Sequence, residues 1–239
     1  MASEVFVARE SSVSPLNSIG ISARRDAVQT EHLEPMGFYG AVSYLQEKYG
    51  MDETESYLTV QAFDNYTGGM YTAVRRIQQR KKDNMEYKPG TQDFMYARSS
   101  QLIESFIERA PKWKGETYRG IVIDEKDVSR LKAGKTINMR GTSSWSSDLP
   151  SVMRMQGENQ GGVAFLHNSE KPRVYFICKS GQPHGTSTRF MSHNPGEKEV
   201  TVSKKAEWKI TKVDHVSTGI DGDKKYNYNT YFVYVEPKK

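Results

Sequence analysis

Asn194-Pro195-Gly196-Glu197-Lys198-Glu199-Val200-Thr201-Val202 runs from a proline–glycine turn into an alternating apolar segment. Proline presets its own φ and glycine tolerates the torsions of a tight reversal, so the first three residues predict a turn. The valine–threonine alternation predicts a strand over Lys198–Val202, with the glutamates at its start. Side chains two apart on a strand share a face. Glu197 and Glu199 would then face one side and Lys198 the other, with α-carbons roughly 6–7 Å apart. Two carboxylates so spaced suit reaction at a sugar carbon, one steadying a cation while the other activates the attacking group. A Glu-Lys-Glu at a strand edge is also an ordinary solvated charge cluster, and the surrounding chain decides between the two.

Similar β-type runs fill the second half of the chain: Glu116–Ile123, Gly162–Leu166, Val174–Cys178, Trp208–Val213 and Tyr228–Val235, separated by glycine turns. A short helix is expected between Asp148 and Gly157, capped by Ser147 or Asp148. Before Pro111 the period changes. Tyr39, Val42, Leu45 and Tyr49, then Tyr71, Val74 and Ile77, then Leu102, Ile103, Phe106 and Ile107 recur at three- and four-residue spacing. They predict helices from about Pro35 to Arg109, with turns at Gly50, Gly68-Gly69 and Lys88-Pro89-Gly90 and a stop at Ala110-Pro111. Residues 1–30, rich in Ser and Ala with Pro15, read as a flexible or extended lead. The expected class is α+β, with one domain over 31–239, helical from 31 to 110 and β from 111 to 239.

At 239 residues the chain can bury a sizeable core, and 36% hydrophobic with 26% charged residues reads as an ordinary soluble globular protein. Its one cysteine, Cys178, lies in the apolar run Val174–Cys178, which predicts a buried strand residue and excludes a disulfide framework. His32, His167, His184, His193 and His215 lack ligand spacing, so no metal is expected. No apolar run reaches membrane-spanning length and no signal-peptide core opens the chain. The expectation is action in a bacterial or host cytoplasm, after virion-associated delivery or signal-independent secretion where delivery is needed. The net charge of +5 falls in short runs, Arg75-Arg76 and Arg80-Lys81-Lys82, read as exposed helix faces. The basic balance admits nucleic acid as a partner, but no dedicated nucleic-acid module indicates it.

Two other segments carry chemistry. Arg119, in Tyr118-Arg119-Gly120, offers a planar fork for phosphate oxygens, and Gly120 admits a ligand close to the backbone. A salt-bridged strand arginine is the alternative. Thr142-Ser143-Ser144-Trp145-Ser146-Ser147 places five hydroxyls around one tryptophan. It fits a loop, or a strand on which Ser144 and Ser146 share a face and hold a carboxylate or a ribose.

In this order, Arg119, Ser144-Trp145-Ser146 and Glu197-Lys198-Glu199 resemble the Arg–Ser-x-Ser–Glu-x-Glu signature of the arginine–serine–glutamate class of mono-ADP-ribosyltransferases. That class includes vegetative insecticidal and binary actin-modifying toxins, Rho-modifying exoenzymes and many phage enzymes. Tyr66-Thr67-Gly68-Gly69-Met70-Tyr71 is similar to the tyrosine–threonine–glycine segment of the family's helical region. Trp208–Val213 is similar to the strand after Glu-x-Glu, so the resemblance spans roughly residues 55 to 236.

The resemblance implies a helical N-terminal region packed on a two-sheet, mostly antiparallel β core, with NAD as substrate, no metal and a monomeric enzyme. It implies that Arg119 grips the NAD phosphates and that the Gly120 backbone meets the nicotinamide amide. Ser144 would position Glu199 and the nicotinamide-side ribose, and Ser146 would hold the geometry of its strand. Glu199 would bind the ribose 2′-hydroxyl and stabilise the oxocarbenium ion, while Glu197 orients and helps deprotonate the acceptor. In the family a glutamate at the first motif position goes with arginine as acceptor, so Glu197 implies a target protein, expected to be a host protein, bearing an acceptor arginine. The family's Ser-Thr-Ser is here Ser-Trp-Ser or, one register on, Trp-Ser-Ser, which leaves Ser144 or Ser143 as the key hydroxyl. Asn194 stands where the family often has an aromatic residue, with His193 and Phe190 nearby. Phe165 and Arg173 are candidates to flank nicotinamide, beside their plainer readings as a core phenylalanine and a surface arginine. An NAD glycohydrolase and a non-catalytic binding or virion-associated module are the alternative functions.

Overall fold

In a computed structural model of the chain, which describes residues 28–80, 87–155, 171–179, 181–182, 184–216, 219–221, 224–226 and 229–238, the change of period at Pro111 separates a helical layer from a β layer. After a short strand β1 (Val28–Gln29) come α1 (Gly37–Tyr49), α2 (Glu53–Asn65), α3 (Tyr71–Gln79) and α4 (Gln92–Arg109). Side-chain oxygens start two of them: Asp52 accepts the Glu55 N–H at 2.7 Å and Thr91 that of Phe94 at 3.3 Å. Leu45, Val60, Phe63, Val74, Ile103 and Phe106 bury in one cluster between the helices.

The stripe of α1 differs from the expected one. Phe38, Ala41, Val42 and Leu45 form the inward face, at offsets of three, four and seven, and Tyr39 stands 76% exposed. The expected turn at Gly68-Gly69 is a π-helical turn, Tyr66–Met70, kinked where Gly69 takes φ 122°. Glycine alone reaches that torsion cheaply, so α2 passes into α3 through a kink and Tyr66 stays inside.

The β layer comprises β2 (Lys112–Trp113), β3 (Thr117–Val122), β4 (Thr136–Asn138), β5 (Ser143–Ser146), β6 (Arg173–Cys178), β7 (Thr186–Ser187), β8 (Glu199–Val202), β9 (Glu207–Val216), β10 (Gly219–Asp221), β11 (Lys224–Tyr226) and β12 (Thr230–Pro237). Two short helices, α5 (Glu125–Val128) and α6 (Leu149–Met155), interrupt it. The Asp148 carboxylate accepts the Ser151 N–H at 3.0 Å and caps α6, as expected. Cys178 is buried in β6.

Eight strands form one sheet in the order β4-β9-β12-β6-β3-β5-β8-β7, antiparallel except for β12 beside β6. Only Tyr118 and Ser146 pair across the β3–β5 junction, so the sheet parts there into two leaves. The second leaf continues through a Trp113–His184 bridge to β2, and β1 pairs with β2 in parallel. Trp113, Trp145, Trp208, Phe176, Val200 and Val233 fill the β core, with the Trp145 and Trp208 rings 4.7 Å apart. The mostly antiparallel α+β fold is thus as expected. The serine-rich segment is a strand, not a loop, because Trp145 (2% exposed) anchors it in that core. The run Gly162–Leu166 lies outside the described residues, as does residues 1–27 of the lead.

One expectation fails at the decisive stretch. Pro195–Glu197 is a 3₁₀ turn, Lys198 is left-handed (φ 48°, ψ 53°) and β8 begins at Glu199. Glu197 is therefore not a strand residue, and the shared-face argument does not apply. Proline at the turn's first position favours a helical turn, which extends through Glu197 before the chain extends. Among the described residues no helix is long and apolar enough to cross a membrane.

The two layers are joined through Thr142, just before β5. Its N–H donates to Gln78 Oε1 (2.7 Å), its carbonyl accepts the Tyr66 hydroxyl (2.9 Å), and its hydroxyl donates to Glu104 Oε1 while accepting from Gln78 Nε2 (2.7 Å). Buried Glu104 also accepts the Ser203 hydroxyl and the Lys204 N–H. Replacing Glu104 by Ala strands these donors, so Glu104→Ala should lose about 2–4 kcal/mol in urea unfolding. Glu104→Gln, which keeps acceptor capacity, should lose less.

Candidate active site

Where the leaves part, a cleft of about 620 Å³ opens. Its walls are the π turn and α3 (Tyr66, Thr67, Tyr71, Arg75), β3 (Tyr118–Val122), β5 (Ser144–Ser146), Val152 of α6, and Glu197 with Glu199. All six residues singled out from sequence, Arg119, Gly120, Ser144, Ser146, Glu197 and Glu199, line this one space.

Arg119 lies deep in the fold with part of its surface open to the cleft. Its Nη1 donates to Ser144 O at 2.5 Å, and its buried Nε has no partner among the described residues. Burial, reinforced by the nearby Arg75 charge, pulls its guanidinium down to about 10, which still leaves it cationic at neutral pH. Arg75 donates to Met139 O at 2.5 Å and likewise leaves a buried Nε unpartnered. Two arginines thus line one cleft, each with a buried Nε that has no hydrogen-bond partner among the described residues. That arrangement attracts an anion with several oxygens.

Ser144 and Ser143 point to opposite sides of β5. Ser143 is buried and accepts the Trp145 indole N–H at 3.1 Å, on the core side. Ser144 opens to the cleft, between the Tyr66 phenol and the Glu199 carboxyl. Ser146 donates to Glu197 O at 2.6 Å and accepts the Asp148 N–H at 2.9 Å.

Glu199, paired with Ser146 across the sheet, is 2% exposed. Thr201 Oγ1 reaches its Oε1 at 3.3 Å, whereas Oε2 completes no hydrogen bond among the described residues. Burial first, then the Glu197 charge, pushes its carboxyl up to about 7, against the opposing pull of Ser144, Thr201 and Arg119. Tyr66 is pushed up to about 12, again by burial and then by Glu199, and stays a neutral donor.

Glu197 reaches the same cleft from its turn, and burial raises its carboxyl as well. Lys198 pairs with Asp148 at 3.2 Å. On the other side Asn194 Nδ2 donates to Thr67 O (3.1 Å) and the His193 N–H to Thr67 Oγ1 (2.8 Å). His193 sits so close to Gly68 that a Cβ there would meet its ring at 3.3 Å. The turn bearing Glu197 and the π turn are therefore interlocked.

Several expectations change here. Arg75 faces the cleft rather than an exposed basic surface, while Arg76 stays outside, near Asp93 at 3.7 Å. The spacing from Tyr71 to Arg75, one helical turn, places both on one face and was the available signal. Tyr66, Tyr71, Tyr118 and Val152 are further lining residues that composition alone did not mark. Arg173 is buried in β6, 2% exposed, and is neither a surface arginine nor part of the cleft wall. Phe190 packs in the helical core, 5.2 Å from the Tyr44 ring. Phe165 lies outside the described residues.

The Glu199 environment has a stability consequence. A carboxyl raised from 4.5 to about 7 binds more protons in the folded than in the unfolded chain across that window, so stability falls as pH rises through it. Glu199→Gln removes the buried charge. The variant should be more stable than the parent at pH 8 by about 1–3 kcal/mol, with the gain vanishing below about pH 4.5. Parallel urea titrations at the two pH values check this.

No protein-family model and no curated protein matches the chain. Solved structures do match. The ADP-ribosyltransferase Vis, in a crystal structure with agmatine, aligns with a TM-score of 0.58 at 19% identity, covering 92% of this chain and 91% of Vis. Vis is a toxin from Vibrio splendidus. The ADP-ribosyltransferase HopU1 of Pseudomonas syringae aligns at 0.53 with 14% identity, over 83% of this chain and 87% of HopU1. Plx2a, an ADP-ribosyltransferase toxin from Paenibacillus larvae, aligns at 0.50 with 14% identity, over 85% and 95%. With its helical layer and parted, mostly antiparallel sheet matched across most of these proteins' length, the chain has the fold of the mono-ADP-ribosyltransferase toxins.

Proposed function

We propose that the chain is an NAD–protein-arginine mono-ADP-ribosyltransferase. The observation that carries this is Glu199, a buried carboxyl with an oxygen unpartnered among the described residues, set beside the Ser144 hydroxyl and near Arg119, in a cleft that Arg75 also lines. These residues fit NAD. The spare N–H groups of Arg119 and Arg75 suit pyrophosphate oxygens, and Glu199 Oε2 suits a ribose hydroxyl.

NAD supplies a ribose carbon whose bond to nicotinamide breaks with development of positive charge. Glu199, ionised, stabilises that charge where it develops, and it does so in a largely dry site where a fixed carboxylate acts strongly. Ser144 and Thr201 hold the carboxylate in place. Glu197, on the neighbouring turn, pairs with a cationic guanidinium acceptor. It takes the proton released as the acceptor nitrogen bonds to the ribose carbon. Its raised proton affinity suits that task. Agmatine, the ligand held by Vis, is itself a guanidinium compound, which supports arginine as the acceptor group. The target is then a protein presenting an arginine to the cleft, a host protein for an effector of this kind.

With labelled NAD and agmatine or host lysate as acceptor, Glu199→Gln should lower both nicotinamide release and transfer by about 10²–10⁴-fold. Full activity in that variant would overturn the mechanism. Glu197→Gln should lose transfer while keeping part of the NAD cleavage. Label on protein that resists hydroxylamine would count against an arginine linkage, and nicotinamide release indifferent to any acceptor would assign a glycohydrolase. Because Glu199 must be ionised, kcat/KM for NAD cleavage should rise with pH through about 7. A pH–rate profile flat from 6 to 8 contradicts this.

A further inference from the structure

The segment His32–Met36 crosses the second leaf outside the cleft, yet it is linked to both ends of the turn that carries Glu197, through Ser147 at one end and Arg189 at the other. His32 lies on Trp113, ring centroids 4.4 Å apart, with Nδ1 2.6 Å from Ser187 Oγ and Nε2 2.8 Å from Ser147 Oγ. The Ser147 N–H in turn donates to Lys198 O, immediately after Glu197. Two residues on, Glu34 pairs with Arg189 at 3.0 Å, and Arg189 Nε donates to Pro195 O, at the start of the same turn. The Met36 N–H closes the segment onto Phe190 O.

Resting on the reading of Glu197 as the acceptor-side carboxylate, we infer that His32, with Glu34 in support, is a positioning residue that braces the Glu197 turn and so governs transfer rather than NAD cleavage. The geometry separates the two steps. Glu199 is held within β8 by the sheet ladder, by Thr201 and by its position opposite Ser146. Glu197 has no ladder, because its residue belongs to a 3₁₀ turn followed by a left-handed lysine. Its placement depends on Ser146, the Thr67 clamp and the two links to His32–Met36. A neutral imidazole serves this brace well, since one ring nitrogen donates and the other accepts between two hydroxyls. Burial, then the charges of Arg189 and Lys198, hold His32 well below its ordinary range, at about 4. A displacement of about 1 Å in a reacting group is enough to cost tenfold or more in rate.

The test uses the full chain with His32→Ala, His32→Gln, Ser147→Ala and Glu34→Ala. Ser147→Ala removes the hydroxyl that bonds His32 Nε2 while keeping the Ser147 N–H bond to Lys198 O and the Trp113 stack, so it remains informative if His32→Ala folds poorly. The ratio of agmatine modification to NAD hydrolysis should fall about tenfold in His32→Ala and Ser147→Ala, with KM for NAD changed by less than about twofold. The fall should be smaller in Glu34→Ala and partly restored in His32→Gln. Backbone amides of residues 196–198 should exchange faster in the first two variants. An unchanged ratio in folded variants, or hydrolysis and transfer falling together, overturns the brace. Failure of the functional reading looks different: the parent chain itself then releases no nicotinamide, and the exchange measurement still answers whether His32 holds the turn.

Discussion

Thr142 is the point on which the rest of the structure depends. A threonine whose N–H, carbonyl and hydroxyl all bond to the helical layer cannot shift without leaving several buried polar groups unsatisfied. The residue stands one step before β5, so the clamp sets the height and tilt of the strand that carries Ser144 and Ser146. Tyr66, one of its three anchors, is also part of the cleft wall. Glu104, another, holds the connection from β8 to β9 through Ser203 and Lys204. The strand bearing Ser144 and the one that ends at Val202, just before Ser203, are thus referred to one carboxylate on α4. Glu199, at the other end of β8, inherits that placement.

The cleft concentrates polar groups that the fold itself does not satisfy. Arg119 Nε, Arg75 Nε and Glu199 Oε2 are each buried without a partner among the described residues. Such groups are costly, and in a folded protein they persist where the surroundings hold them firmly. The surroundings here are two β leaves joined by a single residue pair and a π turn locked against the Glu197 turn. Burial keeps Glu199 near the midpoint of its titration at neutral pH, so the arrival of a cationic group beside it would favour the ionised form. Glu197 is carried by the 3₁₀ turn rather than by the ladder.

Much of the architecture was legible from residue patterns. The change from a period near 3.6 to alternation at Pro111 located the boundary between layers, and Val174–Cys178 announced its own burial. Register and element type at the margins were less legible. Tyr39 looked like a stripe residue because aromatic residues are apolar, but Phe38 beside it completes the i, i+3, i+4 face. The serine-rich segment read equally as a loop, since hydroxyl residues tolerate both. What made it a strand is the burial of Trp145 against Trp208, a contact 63 residues away in sequence. Arg75 and Arg76 are chemically identical neighbours, and only the orientation of α3 sends one to the cleft and the other to solvent.

Glu197-Lys198-Glu199 shows the division most sharply. The sequence alone determined that two carboxylates follow a Pro-Gly turn and that the second leads an alternating strand, because proline, glycine and β-branched residues act on their own torsions. The tertiary structure decided that the two are unlike. Glu199 is fixed and buried in the ladder, whereas Glu197 is carried on a turn whose left-handed exit at Lys198 is held by Ser146, Asp148 and the segment around His32. Those partners are distant in sequence, and hydrogen bonds between distant residues exist only after the layers have packed.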